Sequence, residues 1–583
     1  MKKTFFVKEI IVMAALMGIL GACKKSFDVN PGTELDASQM YRNVYDADAA
    51  VMGIYGKFMS LADRYVILNE LRADLLDYTN NADQYLRQIS THSVTDDNPY
   101  ASPRPFYELI LNCNDVLKNF AIMKQKNTLK EVEFNQRYSD IACLRSFLYL
   151  QLGIHYGDEV RYVTDPLETV DAVKDESRFP KMPFDKLLDS LIAFTEKIPF
   201  KDQYPTGTTL NITLDAIPTN NFFINKKCLL GDLYLWKGNY TKSATYYRQV
   251  METATVGAAG ENYYTQYKIG WGGNFNHYVS YTRAGDASTL NYADGWRLIF
   301  DRPYDVGYTR EWIWALPYDS KFQPENPLIK LFSPVGGNYL VKPSQEIIDN
   351  WNNQQQRPVQ IAGMANGIPY DARGLLSVST IGGQPVVMKY LYGYLNYATN
   401  LPVNPLAKNG KWFLYRQTHL HLRFAEATNR DGYYRLAAGF LNSGIGGAFP
   451  PPSGVTDLTN YQNTLSYPTP YNFDARNGNI PYFRSDWYRH IGIRNRALVT
   501  DYPVPAADSL MQIENGLINE GALENAFEGT RWPDLLRIAL RRNDPAFLAD
   551  KIYAKLLKDG VPGAAEVKTK LMTKKNWYLP FKL

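Results

Sequence analysis

Apolar residues recur three and four positions apart along several stretches of this chain, the spacing that puts one apolar face on a helix. Residues 44–61, 106–120, 141–156 and 184–194 follow it. In the third, Ile141, Leu144, Leu148 and Leu152 form a single stripe. Two more helical stretches, 222–236 and 241–251, are separated by Gly238-Asn239-Tyr240, where an αα-hairpin would turn. Trp312-Ile313-Trp314-Ala315-Leu316 reads as a short buried strand that ends at Pro317, with at least one of the two tryptophans in the core.

The hairpin pattern occurs twice. Gly238, Tyr240 and Ser243 are matched in offset by Gly432, Tyr434 and Ala437. The glycine permits the turn, the tyrosine wedges between the helices, and the small residue lets them approach, as in a tetratricopeptide-like helix pair. Because the copies are far apart, the expected fold is mainly α: a discontinuous scaffold of such pairs, not a continuous solenoid. The scaffold is placed mainly in 37–254 and 411–443, ahead of a loop-rich C-terminal part. Between helical parts lie stretches rich in Gly, Asn, Tyr and Pro, at about 255–310, 352–410 and 444–490. Unstructured loops longer than ~15 residues are uncommon unless functional or disordered, and the aromatic content argues against disorder. A helical frame displaying irregular aromatic loops, with short strands, is the picture that results.

The amino terminus adds a location. Lys2 and Lys3, an apolar run from about Ile10 to Leu20, and Leu20-Gly21-Ala22-Cys23 describe a bacterial lipoprotein signal, 1–22, cut before Cys23, whose thiol carries the lipid. An ordinary cleaved signal with a cysteine at the cut site is the alternative. The run is short of the roughly 20 apolar residues that span a bilayer. Residues 23–36, with Pro31 and Gly32, read as a tether to one large domain over 37–583.

Charge narrows the partners. The net charge is +4, and loss of Lys2, Lys3, Lys8 and Glu9 with the signal leaves +2, without the basic field of a nucleic-acid surface. Cys113, Cys143 and Cys228 sit in helical apolar patterns and read as buried thiols, with at most one disulfide and no metal spacing. His419 and His421, two apart in a helical stretch, face different sides, and no His-Glu-x-x-His, Gly-x-Ser-x-Gly or Walker loop occurs. No cofactor or metal is expected. The chain carries 43 Tyr, 27 Phe and 10 Trp; this excess suits either helix packing or a recognition surface.

Several blocks, in order, resemble the SusD/RagB family of outer-membrane nutrient-binding lipoproteins. They are Asp28-Val29-Asn30-Pro31 behind the lipidated cysteine, Leu144-Arg145-Ser146-Phe147 leading to Tyr156-Gly157-Asp158, and Glu311-Trp312-Ile313. Pro343-Ser344 with Glu346, Asp371-Ala372-Arg373, Lys389-Tyr390 and Arg423-Phe424-Ala425-Glu426-Ala427 follow. Arg494-Asn495-Arg496-Ala497 and Ala526-Phe527-Glu528-Gly529 with Arg531-Trp532 complete the series. The chain departs from the family at Glu520-Gly521, where an arginine often stands beside the glutamate, and in expanded segments at 352–371 and 444–490. The resemblance implies tetratricopeptide-like helix pairs under a variable loop-rich half, no catalysis, and a SusC-like TonB-dependent transporter as partner.

The family blocks read as structural rather than as the ligand site. Glu528 with Arg531, and Asp534 with Arg537, are three apart on one expected helix and would pair across a turn; Asp371 and Arg373 would fix a loop. Ligand candidates lie in the loops, since a sugar stacks its C–H face on an aromatic plane while amides and charged groups take its hydroxyls. One group is Tyr78, Asn80 and Tyr85. A second is Trp271, Asn274, Tyr278, Tyr281 and Trp296. A third is Tyr471, Asn472, Asp474, Tyr482, Trp487 and Tyr488. The expected function is a non-catalytic surface lipoprotein that captures a glycan and hands it to the transporter. A surface glycoside hydrolase or lyase, a peptide-binding member of the same family and a structural lipoprotein are the alternatives.

Overall fold

The computed structural model describes residues 40–167, 169, 171–172, 175–199, 208–214, 217–251, 298–301, 312–320, 323–355, 371–396, 398–476, 492–497, 499–504 and 508–583. The amphipathic stretches form helices at Val44–Met59, Arg104–Gln125, Glu131–Tyr156, Phe184–Lys197, Lys226–Lys237 and Tyr240–Met251. Ile141, Leu144, Leu148 and Leu152 are all sealed from solvent. The apolar stripe understates the burial, because from Ser139 to Tyr156 this helix is enclosed on every side, Arg145, Gln151 and His155 included.

The Lys226–Lys237 and Tyr240–Met251 helices pack as a pair around Gly238, which closes the first helix in the left-handed conformation at φ 80°. Gly432, at φ 92°, turns the chain between Gln417–Arg430 and Tyr434–Leu441 in the same way. Glycine has no Cβ to clash at these angles. Ser243 and Ala437 are buried as the close approach requires, and Ser243 Oγ donates to the Gly231 carbonyl at 2.8 Å. Tyr434 departs from its expected wedge role: it is 49% exposed on the first turn of its helix. Its neighbour Tyr433 packs instead, 4.3 Å from the Tyr471 ring and 4.9 Å from that of Tyr467.

The discontinuous scaffold closes because the 240–251 helix packs directly on the 417–430 helix, which in turn packs on Ser509–Glu524. The last third of the chain is more helical than its pattern suggests. The helix expected around Asp534 and Arg537 is Arg531–Arg542, and Ser509–Glu524, Pro545–Lys558 and Ala564–Leu571 join it in the scaffold where a loop-rich part was expected. Conversely, Gly410–Arg416, assigned to the helical scaffold by its sequence, is a strand. It pairs antiparallel with Trp312–Tyr318, which runs through Pro317 instead of stopping there, and every residue of both strands is buried. The other sheets are also two-stranded: Leu76–Tyr78 with Val341–Pro343, Thr213–Leu214 with Ile217–Pro218, and Val378–Ile381 with Gln384–Val387.

Aromatic side chains weld this strand pair to the helices. Trp314 stacks on Phe58 at 5.6 Å and meets Phe147 edge-on at 5.0 Å, while Trp412 lies 4.8 Å from Phe58 and 5.3 Å from Tyr65. Both Trp312 and Trp314 are core residues whose indole N–H groups donate to the carbonyls of Ile299 and Phe222. Much of the aromatic excess is therefore packing, each ring pair worth about 0.5–1.5 kcal/mol beyond its buried area. Cys113, Cys143 and Cys228 are buried and form no disulfide.

Packing inside the helix pair is tight at Gly231, where a Cβ would sit 2.3 Å from Cε1 of Tyr247. The ring cannot easily retreat, because Tyr247 is buried and its hydroxyl donates to Asp232 at 2.6 Å. Gly231→Ala is expected to cost about 1–3 kcal/mol by overpacking, read as a shift in chemical-denaturation midpoint; an unchanged midpoint would show that the pair has slack there.

Candidate functional site

The family-like blocks feed three ion clusters: a large one around Arg373, Glu520, Glu524 and Glu528, a pair between Arg531 and Asp74, and a third around Glu426 and Arg537. Arg373 grips both oxygens of Asp371, with Nη2 to Oδ2 at 2.6 Å, and sends Nη1 to Glu520 at 2.6 Å and Glu524 at 2.7 Å. Arg496 reaches Glu524 at 2.8 Å and Arg494 reaches Glu520 at 2.8 Å. Glu528 accepts from Arg416 at 2.7 and 2.8 Å and from Lys389 at 2.7 Å. The pairing expected between Glu528 and Arg531 does not form. Glu528 sits before the helix begins, and Arg531 instead clamps Asp74 through bonds of 2.6 and 2.7 Å. Asp534 and Arg537 do pair, at 2.8 Å, with Glu426 taking two further bonds from Arg537.

Thr530 at the start of the Arg531–Arg542 helix supplies no side-chain cap. Glu70, delivered by a π-turn at Ile67–Leu71, does so from across the fold, accepting the backbone N–H groups of Phe527, Gly529, Thr530 and Arg531 at 2.7–3.2 Å. Thr530 and Arg531 stand at the helix start, whose first N–H groups have no partner within the helix, and Phe527 and Gly529 lie in the turn before it. Burial pushes the Glu70 carboxyl up to about 8, against the pull of those N–H groups. The cluster around Arg373, Glu520, Glu524 and Glu528 is buried, so it fixes the joint between strands and C-terminal helices and offers no ligand a surface. His419 and His421 belong to the same interior: burial drives both far below the usual imidazole range, so both are neutral. Among the described residues no group of three or more His, Cys, Asp or Glu is placed to hold a metal.

Of the loop candidates, Tyr78 and Asn80 are brought together. Tyr78 ends the strand Leu76–Tyr78, opposite Val341, and is half-buried; Asn80 follows it, exposed. Arg87, on the helix Gln84–Ser90, joins them: its guanidinium lies 5.0 Å over the Tyr78 ring and donates to the Asn80 carbonyl at 3.1 Å. Asp83 caps that helix through the Leu86 N–H, and Asn81 donates to the Asn338 carbonyl, so the ledge is held from both sides. Tyr85, half-buried one turn away, meets the 95–100 turn, where its carbonyl accepts from Asn98 at 2.9 Å. An aromatic face, a free amide and a cation thus share one ledge. Arg87 was not among the sequence candidates, and its spacing from Asn80 on a helix start gave no signal of the cation–π contact.

Trp271, Asn274, Tyr278, Tyr281 and Trp296 lie outside the described residues, as do Tyr482, Trp487, Tyr488 and Cys23. Tyr471 is buried, its hydroxyl donating to Asp431 at 2.5 Å. Asn472 accepts from Arg248, and Asp474 is paired with Arg476. These three candidates are spent on holding their own loop.

A discontinuous helix-pair scaffold, locked by buried ions and carrying a short strand strut with an irregular display surface, defines the class. The fold is that of the SusD superfamily. A SusD superfamily protein from Bacteroides vulgatus ATCC 8482 aligns over 93% of this chain and 96% of its own, with a TM-score of 0.57 at 15% identity. A laminarin-binding SusD-like protein gives 93% and 96% coverage, TM-score 0.54 and 14% identity. Surface glycan-binding protein A from Bacteroides uniformis gives 92% and 95%, TM-score 0.53 and 16% identity. No protein-family model and no curated protein matches the chain.

Proposed function

We propose that this protein is a non-catalytic surface lipoprotein, anchored in the outer membrane through lipid on Cys23, that captures a glycan and delivers it to a SusC-like TonB-dependent transporter. The observation that carries this reading is the SusD-like fold over nearly the whole chain, shared with a laminarin-binding SusD-like protein and a surface glycan-binding protein. The lipoprotein signal supports the anchor, and no helix among the described residues is long and apolar enough to cross a membrane. Tethering raises the effective ligand concentration at a transporter mouth, so modest affinity suffices. A binding role is further supported by the fate of the buried carboxylates: Glu70, Glu426, Glu524 and Glu528 are committed to backbone amides or cations and are closed to substrate. We place the ligand on the Tyr78, Asn80 and Tyr85 ledge together with the loop carrying Trp271, Asn274, Tyr278, Tyr281 and Trp296.

A glycan and peptide array with the soluble form beginning after Cys23, followed by calorimetry and product analysis, tests this. Saturable binding of an intact glycan, weakened at least tenfold by Trp271→Ala or Tyr78→Ala, is the expected result. Cleaved product would replace the binding role with a hydrolase or lyase, and peptide hits alone would replace the glycan. Co-purification of the full-length protein with an outer-membrane transporter tests the partner separately.

A further inference from the structure

Four arginines are among the largest fully buried side chains: Arg72, Arg373, Arg416 and Arg496. Arg373, Arg416 and Arg496 each hold a carboxylate. Arg72, 1% exposed, forms no ion pair among the described residues. Its Nη2 donates to the Trp577 carbonyl at 2.6 Å, its Nη1 lies 3.3 Å from Nδ1 of His155, and its plane sits 4.0 Å over the Trp532 ring, leaving Nε without a partner. Burial pulls it down to about 9, with only the Tyr156 and Tyr578 hydroxyls opposing, which is the signature of a cation lacking a counter-ion. A buried charge is ordinarily paired.

Arg72 forms part of the wall of a cleft of about 600 Å³ beside the C-terminal segment. The same cleft carries Lys570, Lys574 and Lys575, the last two exposed on the Lys574–Trp577 turn. His92, also on the wall, is held neutral by burial and by the Arg72 charge. The two acids at the rim are already engaged: Glu159 with Lys181, and Asp158 with the Phe184 N–H at 2.8 Å. Tyr578 and Phe581 supply half-buried aromatic faces. Across Tyr578 and Lys574 a second cleft of about 500 Å³ continues along the helix pair, bringing in Trp236, Tyr240 and Arg541. Each cleft is of the size that encloses small ligands; the first presents the exposed cations Lys574 and Lys575, whereas in the second Asp158 and Asp185 also line the wall and Arg541 is paired with Glu426 and Glu514.

We propose that the first cleft takes an anionic sugar unit, a uronate or sulfate ester within a glycan, which Lys574 and Lys575 bind at the mouth and Tyr578 stacks against, while the unbalanced charge of Arg72, buried in the wall, favours an anion through its field without touching it. The proposal rests on the glycan-capture reading and assigns it a charge class and a second position, remote in sequence from the 271–296 loop.

Calorimetry with the soluble form beginning after Cys23 uses trigalacturonate, its fully methyl-esterified analogue, a sulfated chondroitin tetrasaccharide, laminaritriose and sodium sulfate. Trigalacturonate or the chondroitin fragment is expected to bind saturably, with at least tenfold loss on methyl esterification of the former or desulfation of the latter. Which of the two binds distinguishes carboxylate from sulfate. Lys574→Glu with Lys575→Glu, both at exposed positions, is expected to lose binding at least tenfold at unchanged melting temperature, and Arg72→Met to lose the preference for the charged sugar. Acidic sugars that bind no better than sodium sulfate would mark an adventitious ion site and overturn the proposal. Binding of laminaritriose alone, or acidic binding indifferent to the lysine pair, would overturn it while leaving glycan capture standing; failure of every saccharide would overturn both.

Discussion

Glu524→Ala is expected to lower the free energy of unfolding by about 3–5 kcal/mol, the cost of leaving a buried charge without its partner. Three guanidinium groups depend on this carboxylate: Arg373 at 2.7 Å, Arg496 at 2.8 Å and, at 3.5 Å, Arg416. None of them can turn to water, since all are fully buried. Neighbouring Glu520 and Glu528 already accept from other cations and cannot absorb the surplus. The control is Glu346→Ala, which breaks a surface pair with Lys558 in which both side chains are about one-third exposed; exposed pairs contribute about 0–1 kcal/mol. Denaturant unfolding of both variants, with far-ultraviolet circular dichroism as probe, reads the difference. Equal, small losses would mean that the network relaxes around the gap and does not lock the joint.

The second large effect is acid unfolding. Burial alone would raise the carboxyls of Glu426 and Glu528, but the charges of Arg537 and Arg541 on the first, and of Arg416 and Lys389 on the second, hold each at about 2. Glu524 is held below its ordinary value by Arg496, Arg373 and Arg416 against the same burial. A carboxylate depressed on folding stabilises the native state above the unfolded pKa of about 4.3 and loses that contribution as pH falls toward the folded value. At about 1.4 kcal/mol per pKa unit, Glu426 and Glu528 each contribute about 3 kcal/mol at neutral pH. Glu70, shifted upward, is protonated in both states below pH 4 and adds nothing to this limb. Because the folded state keeps a proton on Glu70 that the unfolded chain loses above about 4.3, the Glu70 contribution to stability is expected to rise as pH falls from 7 to about 5, and stability then to fall steeply between about 4.3 and 2. Urea midpoints across that range measure it, and Glu426→Gln should be less stable at pH 7 and flatter in acid. A midpoint unchanged from pH 5 to pH 3 would contradict the ion-pair account.

The helices of the first half were legible because each turns an apolar stripe to the core, and periodicity records that directly. The Gly238 and Gly432 turns were legible because only glycine accepts their backbone angles cheaply. The hairpin at 378–387 also left a trace, Gly382-Gly383 between two short β-prone runs, which loop-like composition obscured. The helices of 509–571 were harder to read: the Arg531–Arg542 helix buries arginines as well as leucines, so its enclosed face is charged and breaks the apolar template. Strand Gly410–Arg416 is buried on both faces, which removes the alternation that marks a strand.

For the candidate site, composition supplied aromatic and amide residues near Tyr78 but could not sort ledge from filler. Tyr471 and Asn472 have the same chemistry as Tyr78 and Asn80, yet Asp431 and Arg248 claim them. Local order along the chain determined most of the helices, their turns and the resemblance to SusD, because those depend on neighbours within a few residues. Only the tertiary structure decided that the family-like charges gather in buried clusters, that Arg87 completes the ledge, and that Arg72 alone among the four largest buried arginines has no carboxylate partner among the described residues. Those facts depend on contacts between residues up to 505 positions apart, which no local pattern encodes.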